Sequence, residues 1–236
     1  MKVSLIIPCY NEEAGLPNLF RQLEPVRQDL EKAYEVEVLF VDDGSKDNTL
    51  PILQKHYWEV PNTVILHHAT NKNLGGALRT GFAEATGDIV VTMDSDCTYP
   101  PHHIRTLLRL LQENKADIVT ASPYHPQGKV ENIPAYRLAL SRSVSWIYQK
   151  LLGSPISTYT CLFRAYRRDV LKDLPFESDT FLAVAELLVY ALKKGYKVVE
   201  FPTVLKPREY GESKIGLSKV ILNHAAFILK LAGGRV

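Results

Sequence analysis

Asp94 and Asp96 stand two residues apart, directly after the apolar run Ile89-Val90-Val91-Thr92-Met93. Side chains on a strand repeat every two residues, so an extended chain through Asp96 points both carboxylates the same way. The run itself reads as a strand buried on both faces. Open α/β sheets take ligands at the carboxyl ends of such strands. Two like charges held close repel, and one keeps its proton unless a cation lies between them. Mg²⁺ or Mn²⁺ is the simplest cation, since both take oxygen ligands and bridge to phosphates. Asp94 and Asp96 are therefore candidate metal ligands. Pro100-Pro101 then stops the strand and stiffens the exit. Taken alone, the same residues also read as two solvated aspartates in a loop; the buried strand before them favours a site.

The elements that position this pair alternate along the first half. Strands are expected at 2–8, 35–41, 63–68, 88–94 and 117–121. A helix covers roughly 12–32, capped by Asn11 and troubled by Pro17 and Pro25. Asp42-Asp43-Gly44-Ser45 turns out of the second strand and can cap the next helix. Further helices are expected at 76–86 and 102–114, the latter with Ile104, Leu107, Leu108 and Leu111 on one face. Such alternation predicts a parallel sheet wrapped by helices. The second half is less regular: a polar loop over 122–134, a helix over 135–152, and a strand or loop over 154–160. Phe163–Arg168 leads into a short helix. A helix over 181–194 carries Glu186, a strand spans 196–201, and a basic loop holds Arg208 and Lys214. Glu186 lies among Phe181, Leu182, Val184, Leu187 and Leu188, where a carboxylate needs a partner or a task. An amphipathic helix over 215–232 follows.

With 236 residues, 46% hydrophobic and 23% charged, the chain is expected to form one domain. A formal charge of +2 gives no argument for nucleic acid. Cys9, Cys97 and Cys161 lack metal-ligand spacing and suit a reducing compartment. Neither a signal peptide nor a run of ~18 apolar residues is visible, so a soluble or membrane-peripheral chain is expected.

Several motifs carry a resemblance. Ile6-Ile7-Pro8-Cys9-Tyr10-Asn11-Glu12, Val41-Asp42-Asp43-Gly44-Ser45, Asn73-Leu74-Gly75-Gly76 and Asp94-Ser95-Asp96 resemble, in this order, the family 2 glycosyltransferases. Gly128-Lys129-Val130-Glu131-Asn132-Ile133-Pro134 with Arg137 and Ser141, and Arg208–Lys214, narrow it to the dolichyl- and polyprenyl-phosphate sugar transferases. The resemblance implies an α/β GT-A fold: a single Rossmann-like, mostly parallel sheet flanked by helices, with a C-terminal amphipathic helix. It implies one domain over 1–236, with a nucleotide-sugar half (1–121) and an acceptor half (122–236). It further implies inverting, metal-dependent transfer of a hexosyl group from a GDP- or UDP-sugar to a polyprenyl phosphate. Alternatives are a hydroxyl acceptor, with Glu186 or a residue near 158–160 as base, or a non-catalytic nucleotide-sugar-binding module. By resemblance, Pro8, Tyr10, Glu12, Asp42, Asp43, Asp94 and Ser95 hold the nucleotide. Asp94 and Asp96 hold the metal and join Glu186 as the catalytic set, Glu186 being expected against the sugar hydroxyls. Arg137, Ser141, Arg208 and Lys214 bind the acceptor phosphate. The expected place is the cytoplasm, with contact at the cytoplasmic membrane face. The chain departs from the family pattern at Thr98, at Pro123 (an arginine in the relatives) and at Thr158, where they carry an aspartate.

Overall fold

The structure is a computed structural model that describes residues 1–211 and 216–235. Its centre is a seven-stranded sheet. The chain enters at β1 (Lys2–Cys9), steps outward through β2 (Glu35–Asp42) and β3 (Thr63–His67), then crosses back to β4 (Ile89–Thr92) on the other side of β1. β5 (Ile118–Ser122), β7 (Arg164–Arg167) and β8 (Val198–Pro202) complete the order β3-β2-β1-β4-β7-β5-β8. All neighbours pair in parallel except β7, which runs antiparallel to both β4 and β5. The strand order reverses between β1 and β4, so a crevice opens at their carboxyl ends. A separate ribbon pairs β6 (Lys129–Val130) with β9 (Val204–Leu205).

Burial on both faces explains the continuous apolar runs. On β1, Val3, Leu5 and Ile7 face helices α1 (Leu16–Leu30), α2 (Thr49–Tyr57) and α4 (Ile104–Glu113). Ile6 points the other way, onto α3 (Asn73–Glu84). On that second side α7 (Leu182–Lys193) packs its Val184 and Leu187 against Ile118 and Tyr166. Two outer helices, α5 (Ala135–Leu152) and α8 (Leu217–Ala232), cover the far side of α7 through Tyr148, Phe227 and Leu231. The short α6 (Arg168–Asp173) links β7 to this layer.

Three expectations are corrected. The fourth strand ends at Thr92, and Asp94 and Asp96 stand in the turn beyond it. The first helix begins at Leu16, because Asn11 adopts φ +53° and bonds the loop after β2 instead of capping. Residues 164–167 form a strand, not the lead of a helix. Their charged ends hid it: the Arg164 side chain is wholly buried, donating to Thr120 Oγ1 (3.1 Å), Val184 O (2.6 Å) and Tyr159 O (2.9 Å).

At the opposite end of the sheet the Glu37 carboxylate ties three segments together. It accepts from Ser4 Oγ (2.5 Å), Thr86 N (2.6 Å) and Thr86 Oγ1 (2.6 Å), and pairs with Lys2 Nζ at 2.8 Å. Burial opposes the charge, but these donors outweigh it and hold the carboxyl at about 2. A depressed folded value stabilises the protein above the usual carboxylate range, and that stability is lost as pH falls towards 2. Glu37→Gln is expected to cost about 1–3 kcal/mol at pH 7. Urea titrations from pH 7 to 2.5 should show the gap to wild type closing below about pH 4.5.

Candidate active site

The loops that leave β1 and β2 are zipped together. Asn11 N donates to Ser45 Oγ (2.9 Å), Lys46 N to Asn11 Oδ1 (2.7 Å), and Glu12 N to Thr49 Oγ1 (2.7 Å). Gly44 adopts φ +70° where a Cβ would lie 2.7 Å from Asn71 N, so only glycine fits this turn. The result is a cavity of about 420 Å³ at the β2–β3 edge of the crevice, lined by Tyr10, Gly44, Ser45, Lys46, His67 and Asn71 among others. Its volume suits a small ligand. Pro8 sits beside it, paired in register with Val41.

Asp42 ends β2 and Asp43 follows it, just before the lining residue Gly44. Both are buried. Asp43 Oδ1 accepts from His68 Nδ1 (2.7 Å) and Lys72 N (2.8 Å). Asp42 Oδ2 accepts from His67 Nδ1 at 2.7 Å. The two histidines were read from sequence only as the end of a strand. Their role follows from register, which sets Asp42 opposite His67.

Across the crevice Asp94, Ser95 and Asp96 meet Glu12. Asp96 Oδ1 accepts Thr98 N at 3.0 Å, and Cys97 adopts φ +55°, so the segment is a tight turn. The two carboxylates still interact: burial and then the charge of Asp96 push the Asp94 carboxyl far above the usual range. Burial also raises Glu12, opposed by Arg208 and by a hydroxyl bond from Ser95. Arg208 forms an ion pair with Glu12 and brings its Nε to 3.6 Å from Asp96 Oδ2. One guanidinium thus serves three crowded acids. Oxygen donors crowded in this way suit a hard divalent cation. Among the described residues no group of three His, Cys, Asp or Glu side chains is placed to hold a metal ion by itself, so Asp94 and Asp96 would need further oxygens from a ligand or water. Burial, then Asp96 and Asp94, push the neighbouring Cys97 thiol to about 12, which removes it as a nucleophile.

The second-half residues are more scattered. Arg137 is exposed on α5, its Nε 3.3 Å from Tyr136 OH. Ser141, one turn on, shares a hydrogen bond with Thr160 Oγ1 at 2.6 Å. Thr158 is buried on Ser122 Oγ at 2.7 Å. Lys214 lies outside the described residues. Arg208, expected at an acceptor phosphate, here neutralises the acids of the nucleotide half. Glu186, expected against a sugar, has a structural partner. Its Oε2 accepts Ser178 N (2.9 Å) and Glu177 N (3.2 Å), pinning the loop before α7. The same loop is held from the other side by Gly75 N on Asp179 O (2.7 Å) and by Arg79, so α3 and Glu186 clamp it jointly.

Residues 4–175 match the model of the family described as glycosyl transferase family 2. The chain belongs to this family. A family 2 relative from Sodalis glossinidius (strain morsitans), an undecaprenyl-phosphate 4-deoxy-4-formamido-L-arabinose transferase, is 33% identical over 224 residues. That match covers 93% of this chain and 64% of the relative, so the chain spans under two thirds of that protein's length. Among solved structures, glucosyl-3-phosphoglycerate synthase from Mycobacterium tuberculosis with Mn²⁺, UDP and glucosyl-3-phosphoglycerate superposes with TM-score 0.73 at 19% identity, covering 98% of this chain and 80% of that one. The same enzyme with Mg²⁺ and UDP gives TM-score 0.70 at 20% identity, over 98% and 79% of the two chains. The family 2 chain therefore has the GT-A fold, as the order of its motifs implied. Glu186→Ala is expected to lower stability by about 1–3 kcal/mol in urea titration, as the two loop N–H groups lose their acceptor. A turnover loss larger than the unfolded fraction explains would restore Glu186 to the chemistry.

Proposed function

We propose that this family 2 protein transfers a hexosyl group, with inversion, from a GDP- or UDP-sugar to a polyprenyl phosphate. The observation that carries the reading is the Asp94–Asp96 pair at the switch point of the sheet, crowded with Glu12 and paired with Arg208. Asp94 and Asp96 would hold Mg²⁺ or Mn²⁺, which when bound supplies positive charge for the departing diphosphate. The cavity at Tyr10, Gly44 and His67 takes the nucleoside end. The 33% identical relative, an undecaprenyl-phosphate 4-deoxy-4-formamido-L-arabinose transferase, supports a lipid-linked acceptor. Chemistry supports it: a phosphate monoester is already largely ionised near neutrality, with a second pKa of about 6, and needs cations more than a base. Arg137 on α5 is placed to serve it, and Arg208 joins once its acids have other partners. Arg208→Ala should then weaken both donor and acceptor binding.

A membrane-facing role for the outer helices extends this reading. No helix among the described residues is long and apolar enough to cross a membrane. Yet Trp146 is 59%, Leu222 69% and Leu229 73% exposed, on helices α5 and α8 that contain Arg137, Arg142, Lys150, Lys219 and Lys230 and no acid. Exposed apolar groups beside cations suit an anionic lipid surface, which on this proposal is the cytoplasmic face.

Incubation with labelled UDP- and GDP-sugars, Mn²⁺ or Mg²⁺ and polyprenyl phosphate should yield labelled lipid, and Asp96→Ala should reduce the rate at least about 100-fold. Product formed only on hydroxyl acceptors would overturn the acceptor assignment. Separately, the protein should sediment with vesicles containing anionic phospholipid, and Leu222→Glu with Leu229→Glu should abolish this while leaving the circular dichroism spectrum unchanged.

A further inference from the structure

A second cavity, of about 300 Å³, lies away from the crevice and is lined by Phe82, Ala83, Val90, Arg168, Leu171 and Lys172. Asn71, just before α3, lines the cavity at the crevice, whereas Phe82 and Ala83 stand in the last turn of that helix. A 12-residue helix is about 18 Å long, so the two cavities are separate. The walls of the second are apolar. Val90 is buried, while Phe82 and Leu171 pack on the core and stay half-buried. The Phe82 ring is held edge-on by Tyr166 and Phe176, at 6.1 and 5.8 Å between ring centres. Two cations complete the lining, and no acid among the described residues lines it. Arg168 is anchored by its backbone N on Asp88 O (3.0 Å) and its Nη1 on Thr86 O (3.2 Å), and forms no ion pair among the described residues. Lys172 lies 3.8 Å from Asp169, a carboxylate 97% exposed, so that pair contributes little.

We propose that this cavity binds a small amphipathic carboxylate, its apolar chain against Phe82, Val90 and Leu171 and its head group on Arg168 and Lys172. The site is independent of the crevice and of the reaction assigned to it. An apolar chain covers walls that water otherwise wets, and each methylene so buried favours binding about fourfold. The head group needs a charge. Arg168 commits Nη1 to Thr86 O, which leaves the Nε–Nη2 edge of its planar fork for the two oxygens of a carboxylate. A neutral chain would give these donors a poor acceptor. An inorganic anion would leave the apolar walls wet. A volume of about 300 Å³ is at the small end for ligand sites, which favours a short chain over a full lipid.

Titration of the full chain with octanoate, hexanoate, octan-1-ol and inorganic phosphate, followed by amide NMR shifts, tests this. Octanoate should give saturable shifts at Ala83, Leu171 and Lys172. Hexanoate, two methylenes shorter, should bind about tenfold more weakly. Octan-1-ol should bind at least about tenfold more weakly than octanoate, and phosphate should not saturate the site. Ala83→Trp, at an exposed helix position, fills the cavity and should remove octanoate binding. Arg168→Met with Lys172→Met should weaken octanoate at least about tenfold and leave octan-1-ol unchanged. Equal affinity for octanoate and octan-1-ol would overturn the proposal. So would phosphate binding as tightly as octanoate, shifts centred on Trp146 and Leu229 of the outer helices, or no saturable binding at all. Because Ala83 is exposed, its variant keeps the test open even if the double variant fails to fold.

Discussion

Among the described residues, three carboxylates crowd one guanidinium at the carboxyl edge of this sheet. Asp94, Asp96 and Glu12 converge there from the ends of β4 and β1, and Arg208 compensates them from a loop far along the chain. Burial and then repulsion of this kind raise a carboxyl's proton affinity, and Asp94 shows both. Held without a ligand, the arrangement works against folding. On the proposed function, a hard cation and the phosphate oxygens that come with it would relieve it.

The rest of the fold keeps these groups from moving apart. Asp94 and Asp96 follow β4, buried throughout, and Glu12 follows β1, buried along most of its length, so packing anchors the backbone before each acid. The strand that separates β4 from β5 is held by a buried arginine whose three acceptors lie on β5, on α7 and in the segment before β7. At the other end Glu37 joins β1, β2 and the turn before β4. The crevice is therefore the loosely compensated end of a tightly tied sheet. Outside this frame, α5 and α8 bury one side through Tyr148, His224 and Phe227 and leave basic and apolar residues outward.

Local pattern carried much of this. Continuous apolar runs revealed β1, β2, β4 and β5, and motif order identified the fold, because burial on both faces leaves a plain signature in the chain. It failed where the signature is weak. β7 is four residues with arginines at both ends, and the four-residue ribbon of β6 and β9 is too short for any period. Asn11 looked like a helix cap, and only the neighbouring loop shows that its side chain is bound to Lys46 N. Glu186 looked reactive because a carboxylate on an apolar helix needs a reason; the loop at 177–178 supplies one.

The sequence by itself determined which residues carry charge and what order the strands come in, and hence the family, the fold and the acid pair at Asp94 and Asp96. Those features are local or run in chain order, so composition and spacing express them. Only the tertiary structure decided the pairings. Arg208 meets Glu12 across 196 residues, and His67 claims one oxygen of Asp42 because β3 lies beside β2 in a register that sets the two opposite. Hydrogen bonds and ion pairs act over a few ångströms of space whatever the separation along the chain. Which acid meets which partner is settled when the sheet assembles.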